Sequence, residues 1–381
     1  MGHARRPGGW SWLLLVVVLA CAPGVPPAAP ASAPAGARPV SSEVLPGGAP
    51  AATAPAAVPA LVHVRIGSQF ASTDVGHYLA LERGYFQQEG LDVEFVSFAN
   101  ASEMIPALAT ERIEVGGIGG NPAMWNAVAR GVRLKLVLDK GSARPGTGNT
   151  ALVIRKDLYD AGRGQRLDDL RGLRIAITPP GKATTNAMPM DVGMQRVGAS
   201  IDDVVIEPLP FPDMVPALAN GSVDGAVIVE PFLSRVLRQG SAVRVATLDE
   251  MYPNFTIGLV GFSPEFYAQR SAAKGFVRAY IRAVRDYHAA ISKPVGDADR
   301  AQVDEIIARY TRIDVATVRE MAPVGLNPNG HFNLASLLHA YRWFRERGFI
   351  PEPVPEAVLA ELWGLELVDE VLDALGRVPE D

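Results

Sequence analysis

The residues that could do chemistry are few, and their spacing excludes most reactions. The only cysteine is Cys21. That excludes an intrachain disulfide, a Cys-based zinc site, an iron–sulfur cluster and CxxC redox chemistry. The six histidines, at 3, 63, 77, 288, 331 and 339, show no metal-ligand spacing. HExxH and the GxSxG nucleophile elbow are absent. Gly181-Lys182 lacks the upstream Gly and the following Ser/Thr of a phosphate-binding loop. In Gly116-Gly117-Ile118-Gly119-Gly120, Pro122 stands where a dinucleotide fingerprint needs its last Gly. No catalytic residue, cofactor or metal site is expected.

What remains is a set of loops where strands hand over to helices. In open α/β sheets ligands bind there, outside the carboxyl ends of the strands. Helix N-termini present free N–H groups and partial positive charge at that edge. The loops are 68–74, 98–102, 119–122, 179–185, 211–213 and 230–232. They are rich in hydroxyls, amides and aromatics, which hold a small polar ligand without reacting with it. The candidate ligand-binding residues are Gln69, Phe70, Ser72, Thr73, Asn100, Asn121, Asn149, Lys182, Thr184, Thr185, Asp213 and Glu230. Several carry two readings. Lys182 either meets an anionic group or is a solvated loop lysine. Glu230 either holds an amine or amidine, or caps its helix and braces the loop. Trp125 and Phe232 either line the cleft or sit in the core. His77 is either an ordinary packing or surface residue, or lies near a ligand. Lys140, Arg144 and Lys182 favour an anion; Asp139, Asp213 and Glu230 favour a cationic or aminopyrimidine ligand.

The elements that must position these loops alternate along the chain. Short apolar runs at 61–66, 91–95, 115–118 and 134–138 read as strands, with helical patterns at 75–87, 102–110 and 122–129 between them. A second block repeats the texture, with strands at 174–177, 204–206, 226–229 and 243–246 and helices at 184–197, 213–219 and 231–239. The alternation specifies α/β architecture. A further strand is predicted at 256–262. Beyond it the chain turns helical, at 272–291, 301–310, 315–321, 333–347 and 356–362, and this C-terminal third is expected to pack on the first block. The chain has 381 residues, 48% hydrophobic and 20% charged, enough for two sizeable cores. Its net charge of −5 removes the usual electrostatic case for nucleic-acid binding.

The two blocks echo each other at an offset of 110 residues. Glu103-Met-Ile-Pro-Ala-Leu-Ala109 matches Asp213-Met-Val-Pro-Ala-Leu-Ala219, and the match runs on through Ile113-Glu114 and Val223-Asp224 to Ile118 and Ile228. Asn121-Pro122 and Glu230-Pro231 coincide if one residue is skipped, and both prolines suit a first helical turn. Internal duplication is the favoured reading.

The N-terminus is an address. Arg5 and Arg6 precede an apolar run from Trp10 to Ala20, too short to span about 30 Å of hydrocarbon. Residues 1–20 therefore read as a signal peptide. Val18-Leu19-Ala20-Cys21 resembles a bacterial lipobox, although Leu19 is bulkier than the usual residue. This implies cleavage before Cys21 and its lipidation. Residues 22–60 carry 14 alanines and 10 prolines among 39 positions. Such a stretch cannot offset its ordering entropy by burial, and 21–60 is read as a semi-rigid tether.

Three segments carry a family resemblance. Gly76-His-Tyr-Leu-Ala-Leu-Glu-Arg-Gly-Tyr-Phe-Gln-Gln-Glu-Gly-Leu-Asp-Val93 resembles the first helix and second strand of nitrate/sulfonate/taurine-type ABC transporter substrate-binding proteins. Asp168-Asp-Leu-Arg-Gly-Leu-Arg-Ile-Ala176 resembles the entry to their second lobe. Ala217-Leu-Ala-Asn-Gly-Ser-Val-Asp-Gly-Ala226 followed by Glu230-Pro231 resembles a late segment of theirs. Binders of thiamine pyrimidine precursors share the pattern, and so do some pyrimidine-forming enzymes. Those enzymes depend on a cysteine-rich motif that is absent here. The resemblance implies a type II periplasmic-binding fold, with two lobes, two hinge crossings and a helical C-terminal third. The crossings are placed at 148–153 and 254–258. Lobe one is then 61–149 plus 256–381, and lobe two is 150–255. The implied protein is a periplasmic or cell-surface solute binder, anchored to the membrane by lipid at Cys21. It would pass a small anion, or alternatively an aminopyrimidine, to an ABC permease and its ATPase.

Overall fold

The computed structural model describes residues 61–380. The signal peptide (1–20), the tether (21–60) and Cys21 lie outside the described residues. Two five-stranded sheets share one plan. The first has the order β2-β1-β3-β10-β4, from β1 (Val62–Ser68), β2 (Leu91–Ser97), β3 (Val115–Ile118), β4 (Lys135–Ser142) and β10 (Thr256–Phe262). The second has the order β7-β6-β8-β5-β9, from β5 (Thr150–Arg155), β6 (Arg174–Ile177), β7 (Val205–Pro208), β8 (Gly225–Val229) and β9 (Ala242–Thr247). Three strands of each sheet pair in parallel. The fourth in each order, β10 or β5, runs antiparallel to both its neighbours.

The chain passes between the sheets twice, at 143–149 and at 248–255. Both passages end earlier than the sequence placed them. Thr150–Val153 is already paired in β5, a strand the sequence reading missed. Its run Ala151-Leu-Val-Ile154 is wholly buried but follows the polar loop Gly146-Thr-Gly-Asn149, and it overlaps the predicted crossing. Thr256 likewise already pairs with Ser142 in the first sheet.

The 110-residue echo has a structural counterpart. Glu103 and Asp213 sit on helices Ala101–Ala109 and Phe211–Asn220, each with a proline at its sixth residue, Pro106 or Pro216. Each helix feeds the middle strand of its sheet, β3 or β8. The structural echo also includes a clamp that the sequence match did not register. The Arg65 side chain and backbone N–H donate to the Glu114 carboxylate, with the Nη2 also reaching the Glu111 carbonyl. Arg174 repeats this on Asp224 and on the carbonyls of Ser222 and Gly221. In both halves the arginine on the parallel strand locks the turn leading into the central strand.

The C-terminal third packs on the first sheet, as expected, and also reaches a helix of the second half. Helix Arg270–Ile291 buries Phe276, Val277, Tyr280, Ile281, Val284 and Tyr287 at i, i+3, i+4 spacing. It packs against helix Val75–Glu82 and against a terminal helix, Leu365–Leu375. The sequence reading stopped short of that last helix, although Leu367, Val368, Val371 and Leu372 form its buried stripe. Helix Leu334–Glu346 and the turn after it reach instead to the second half. Trp343 and Arg347 both bond Asp191 there.

Candidate ligand-binding cleft

A cavity of about 530 Å³ opens where the two sheets face each other. Its wall takes the loop after β1, the end of β3 and part of β4 from the first sheet. From the second it takes the start of β5, the end of β8 and the first residues of helices Phe211–Asn220 and Phe232–Arg238. Among the candidates, Gln69, Phe70, Ser72, Thr73, Asn121, Asn149, Thr185 and Glu230 lie on this wall. Asn100, Lys182, Thr184 and Asp213 do not, and local bonding explains three of them. Asn100 caps its helix, accepting from the Glu103 N–H at 3.2 Å. Lys182 turns to Asp202 at 2.6 Å. Thr184 donates to the Gly181 carbonyl at 3.1 Å. Asp213 is an exposed first-turn acid of its helix, where the helix dipole favours it. Trp125 is core, fully buried with its indole N–H on the Gly120 carbonyl. Phe232 lines the cavity.

Two charged residues occur on the wall, Lys140 and Glu230. Glu230 is held by three protein donors. Its carboxylate accepts from the Ser234 N–H at 3.0 Å, the Ser234 hydroxyl at 2.9 Å and the Ala322 N–H at 3.1 Å. Burial pushes its pKa up, against these donors. It is the counterpart of Asn121, whose side chain accepts from the Met124 N–H in the matching helix. Of the two readings of Glu230, this bonding is the bracing one.

Lys140 is set differently. It lies 7% exposed at the end of β4, with its ammonium 2.8 Å from Asp74 and 2.9 Å from the Thr73 hydroxyl. An ammonium has three donors; among the described residues the third has no acceptor. The side chain lies flat across Gly117, where a Cβ would sit 2.4 Å from Lys140 Cε. The glycine of β3 is therefore what lets the lysine reach the cavity. Asp74 is fully buried and organises more than Lys140. It accepts the Ser68 hydroxyl at 2.9 Å and the Ala71 N–H at 3.3 Å. Ser68 Oγ in turn accepts the Phe70 N–H at 2.9 Å. Phe70 has φ of 54°, a left-handed conformation that is rare for a bulky residue. The Ser68–Asp74 pair thus holds Phe70 on the wall in a backbone state it would not otherwise adopt. Burial alone would raise the Asp74 pKa, but the Lys140 charge holds it well below the carboxylate range. Behind Asp74, His77 is fully buried, its Nδ1 3.7 Å from the carboxylate and neither ring nitrogen hydrogen-bonded. Burial pushes its pKa down. His77 is thus a packing residue, against Tyr280 and Phe276, and is not on the cavity wall.

The sequence reading weighed Lys140 but did not place it among the site residues, and it missed Asp74 as an organiser. The available signal was Asp139-Lys140 inside an otherwise apolar strand. Strand alternation sends these two to opposite faces. Asp139 is buried away from the cavity and accepts from Asn327 N–H, Gly141 N–H and the Ser142 hydroxyl. Burial pushes its pKa up to about 7. The folded state therefore holds a proton there that the unfolded chain releases near pH 4. This contribution to stability is present below pH 4 and is lost as pH rises through 7. Urea unfolding of wild type and Asp139→Asn across pH 5 to 8 checks it. The stability of wild type relative to the variant is expected to fall as pH rises.

Among the described residues, no cluster of three or more His, Cys, Asp or Glu is placed to hold a metal, and no helix is long and apolar enough to cross a membrane. Two sheets of matching order around a shared cleft are the architecture of periplasmic binding proteins. The solved aliphatic sulphonate binding protein SsuA of Escherichia coli superposes on this chain with a TM-score of 0.63, at 17% identity, covering 80% of this chain and 92% of that one. Residues 58–296 match the NMT1-like family, and the chain belongs to that family. A Bacillus subtilis protein provisionally named for binding aliphatic sulfonates is 24% identical over 260 residues, 65% of this chain and 74% of that protein. The nitrate import ATP-binding protein NrtC of Synechocystis is 25% identical over 217 residues, 54% of this chain and 32% of that protein.

Proposed function

We propose that this protein captures a small organic anion between two lobes and delivers it to an ABC permease with its ATPase. The lobes are 61–149 plus 256–381, and 150–255. The observation that carries the anion is Lys140, among the described residues the one on the wall with a charged donor to spare. The relatives named for sulfonates and nitrate import support an anion. An aminopyrimidine or other amine ligand would need Glu230, whose carboxylate already accepts three protein donors. The protein works outside the cytoplasm, tethered by 21–60 to a lipid on Cys21. Closure follows hinge logic, driven by the ligand's higher affinity for the closed form.

Calorimetry with methanesulfonate and taurine tests the anion. A hydrogen bond to a charged group contributes about 1.5–3 kcal/mol. Lys140→Met is therefore expected to weaken binding by about 10- to 100-fold, with a thermal melt run in parallel to confirm folding. Unchanged affinity in a folded variant would remove Lys140 as the anchor. Membrane fractionation of Cys21→Ala tests the anchor separately. A variant that remains membrane-bound like wild type would refute the lipid while leaving the capture reading intact.

A further inference from the structure

The wall also carries three aromatic rings, Phe70, Phe211 and Phe232. Phe211 and Phe232, first residues of two helices in the second half, lie with centroids 6.3 Å apart and ring planes within 18°. Both are partly exposed, and the stacked pair lines the cavity. Phe70, from the first half, is held on the same wall by a backbone conformation that Ser68 and Asp74 enforce. Such backbone strain concentrates at ligand clamps. Solvent-facing aromatics are poorly placed for an unliganded protein alone, since each leaves ring surface in water. They are well placed to sandwich a flat group once the halves close.

Resting on the reading of the cleft as an organic-anion site, we propose that its ligand is an aryl anion. The charged group meets Lys140, and the ring lies on the Phe211–Phe232 pair with Phe70 closing from the other half. Aromatic pairs add to affinity beyond their buried area. Specificity for an aryl ligand would thus be set by residues from both halves, and only the closed form would satisfy it.

The test is calorimetry on the full-length protein with benzenesulfonate and methanesulfonate, which share one charged group and differ in the ring. The expected result is binding of benzenesulfonate about tenfold tighter or more. Phe232→Ala is expected to narrow that gap to about threefold or less. Phe211→Leu and Phe232→Leu, which keep apolar volume but lose the flat ring, are expected to narrow it too, and they serve if the alanine variant fails to fold. Equal affinity of wild type for the two sulfonates overturns the aryl proposal while the anion reading stands. A preference that survives in both leucine variants also overturns it. If neither sulfonate binds, the anion reading falls, and this proposal with it.

Discussion

Asp74→Asn is expected to cost about 3–5 kcal/mol of unfolding free energy, the range for breaking a buried ion pair by removing one partner. The substitution leaves the Lys140 ammonium, 7% exposed, without the carboxylate that neutralises it at 2.8 Å. It also turns an acceptor of the Ser68 hydroxyl and the Ala71 N–H into a group with a donor of its own. The Phe70 backbone hangs on that same Ser68 oxygen, so ligand affinity should fall together with stability. Equilibrium urea unfolding measures the first effect and calorimetry the second. Asp74→Asn combined with Lys140→Met should recover part of the stability, because an empty pair is cheaper than a broken one. It should recover none of the affinity, since the anchoring charge is gone. A single variant within 1 kcal/mol of wild type would show that water already reaches Lys140 well enough to replace Asp74. The pH response has a defined sign. The folded-state pKa is depressed, so the stabilisation is present above the ordinary carboxylate value and is lost as pH falls below it.

Much of this arrangement is legible in the sequence, and what is not has a physical cause. Nine of the ten strands stand where short apolar runs placed them, because each carries its own short apolar run bounded by polar or turn residues. The exception, β5, has the same composition but directly follows a loop of Gly, Thr and Asn, which drew it into the predicted crossing. Loop residues after strands were legible as a class, since topology alone puts them at the cleft. Which of their side chains face it was not. Asn100 and Asn121 are both helix caps, yet only Asn121 also borders the cavity. Lys182 looked like an anion ligand because nothing in the sequence shows that Asp202 lies beside it. Pairing of that kind depends on contacts between residues far apart in the chain, and periodicity carries no record of them. The same limit hid Asp74, which reads as one more polar loop residue until Lys140 arrives from β4.

Asp191→Ala is expected to destabilise the protein about as much as Asp74→Asn, at a residue that is not on the cleft wall. Asp191 is fully buried in helix Ala187–Gln195 of the second half. Its carboxylate accepts from the Ile201 N–H at 2.8 Å, the Gln195 amide at 2.9 Å and the Ser200 hydroxyl at 3.4 Å. Two further donors come from the C-terminal third, the Trp343 indole N–H at 2.7 Å and the Arg347 guanidinium at 2.8 Å. Alanine would leave several buried donors without an acceptor, each costing about 1–3 kcal/mol where water cannot replace the oxygen. Relaxation and the exposure of Arg347 limit the sum, so about 3–5 kcal/mol is the expected loss. Asp202 provides the control. It accepts from the same Arg347 at 2.8 Å and from Lys182, but its side chain is 57% exposed. Exposed pairs contribute about 0–1 kcal/mol, so Asp202→Ala should cost no more than that. Urea unfolding of both variants distinguishes a buried tie between the halves from a surface charge cluster. If the two lose equal stability, Asp191 is not the residue that joins helix Ala187–Gln195 to the C-terminal third. A large loss confined to Asp191→Ala would place that joint on its buried carboxylate. The C-terminal third would then be a structural brace across both halves as well as a partner of the first sheet.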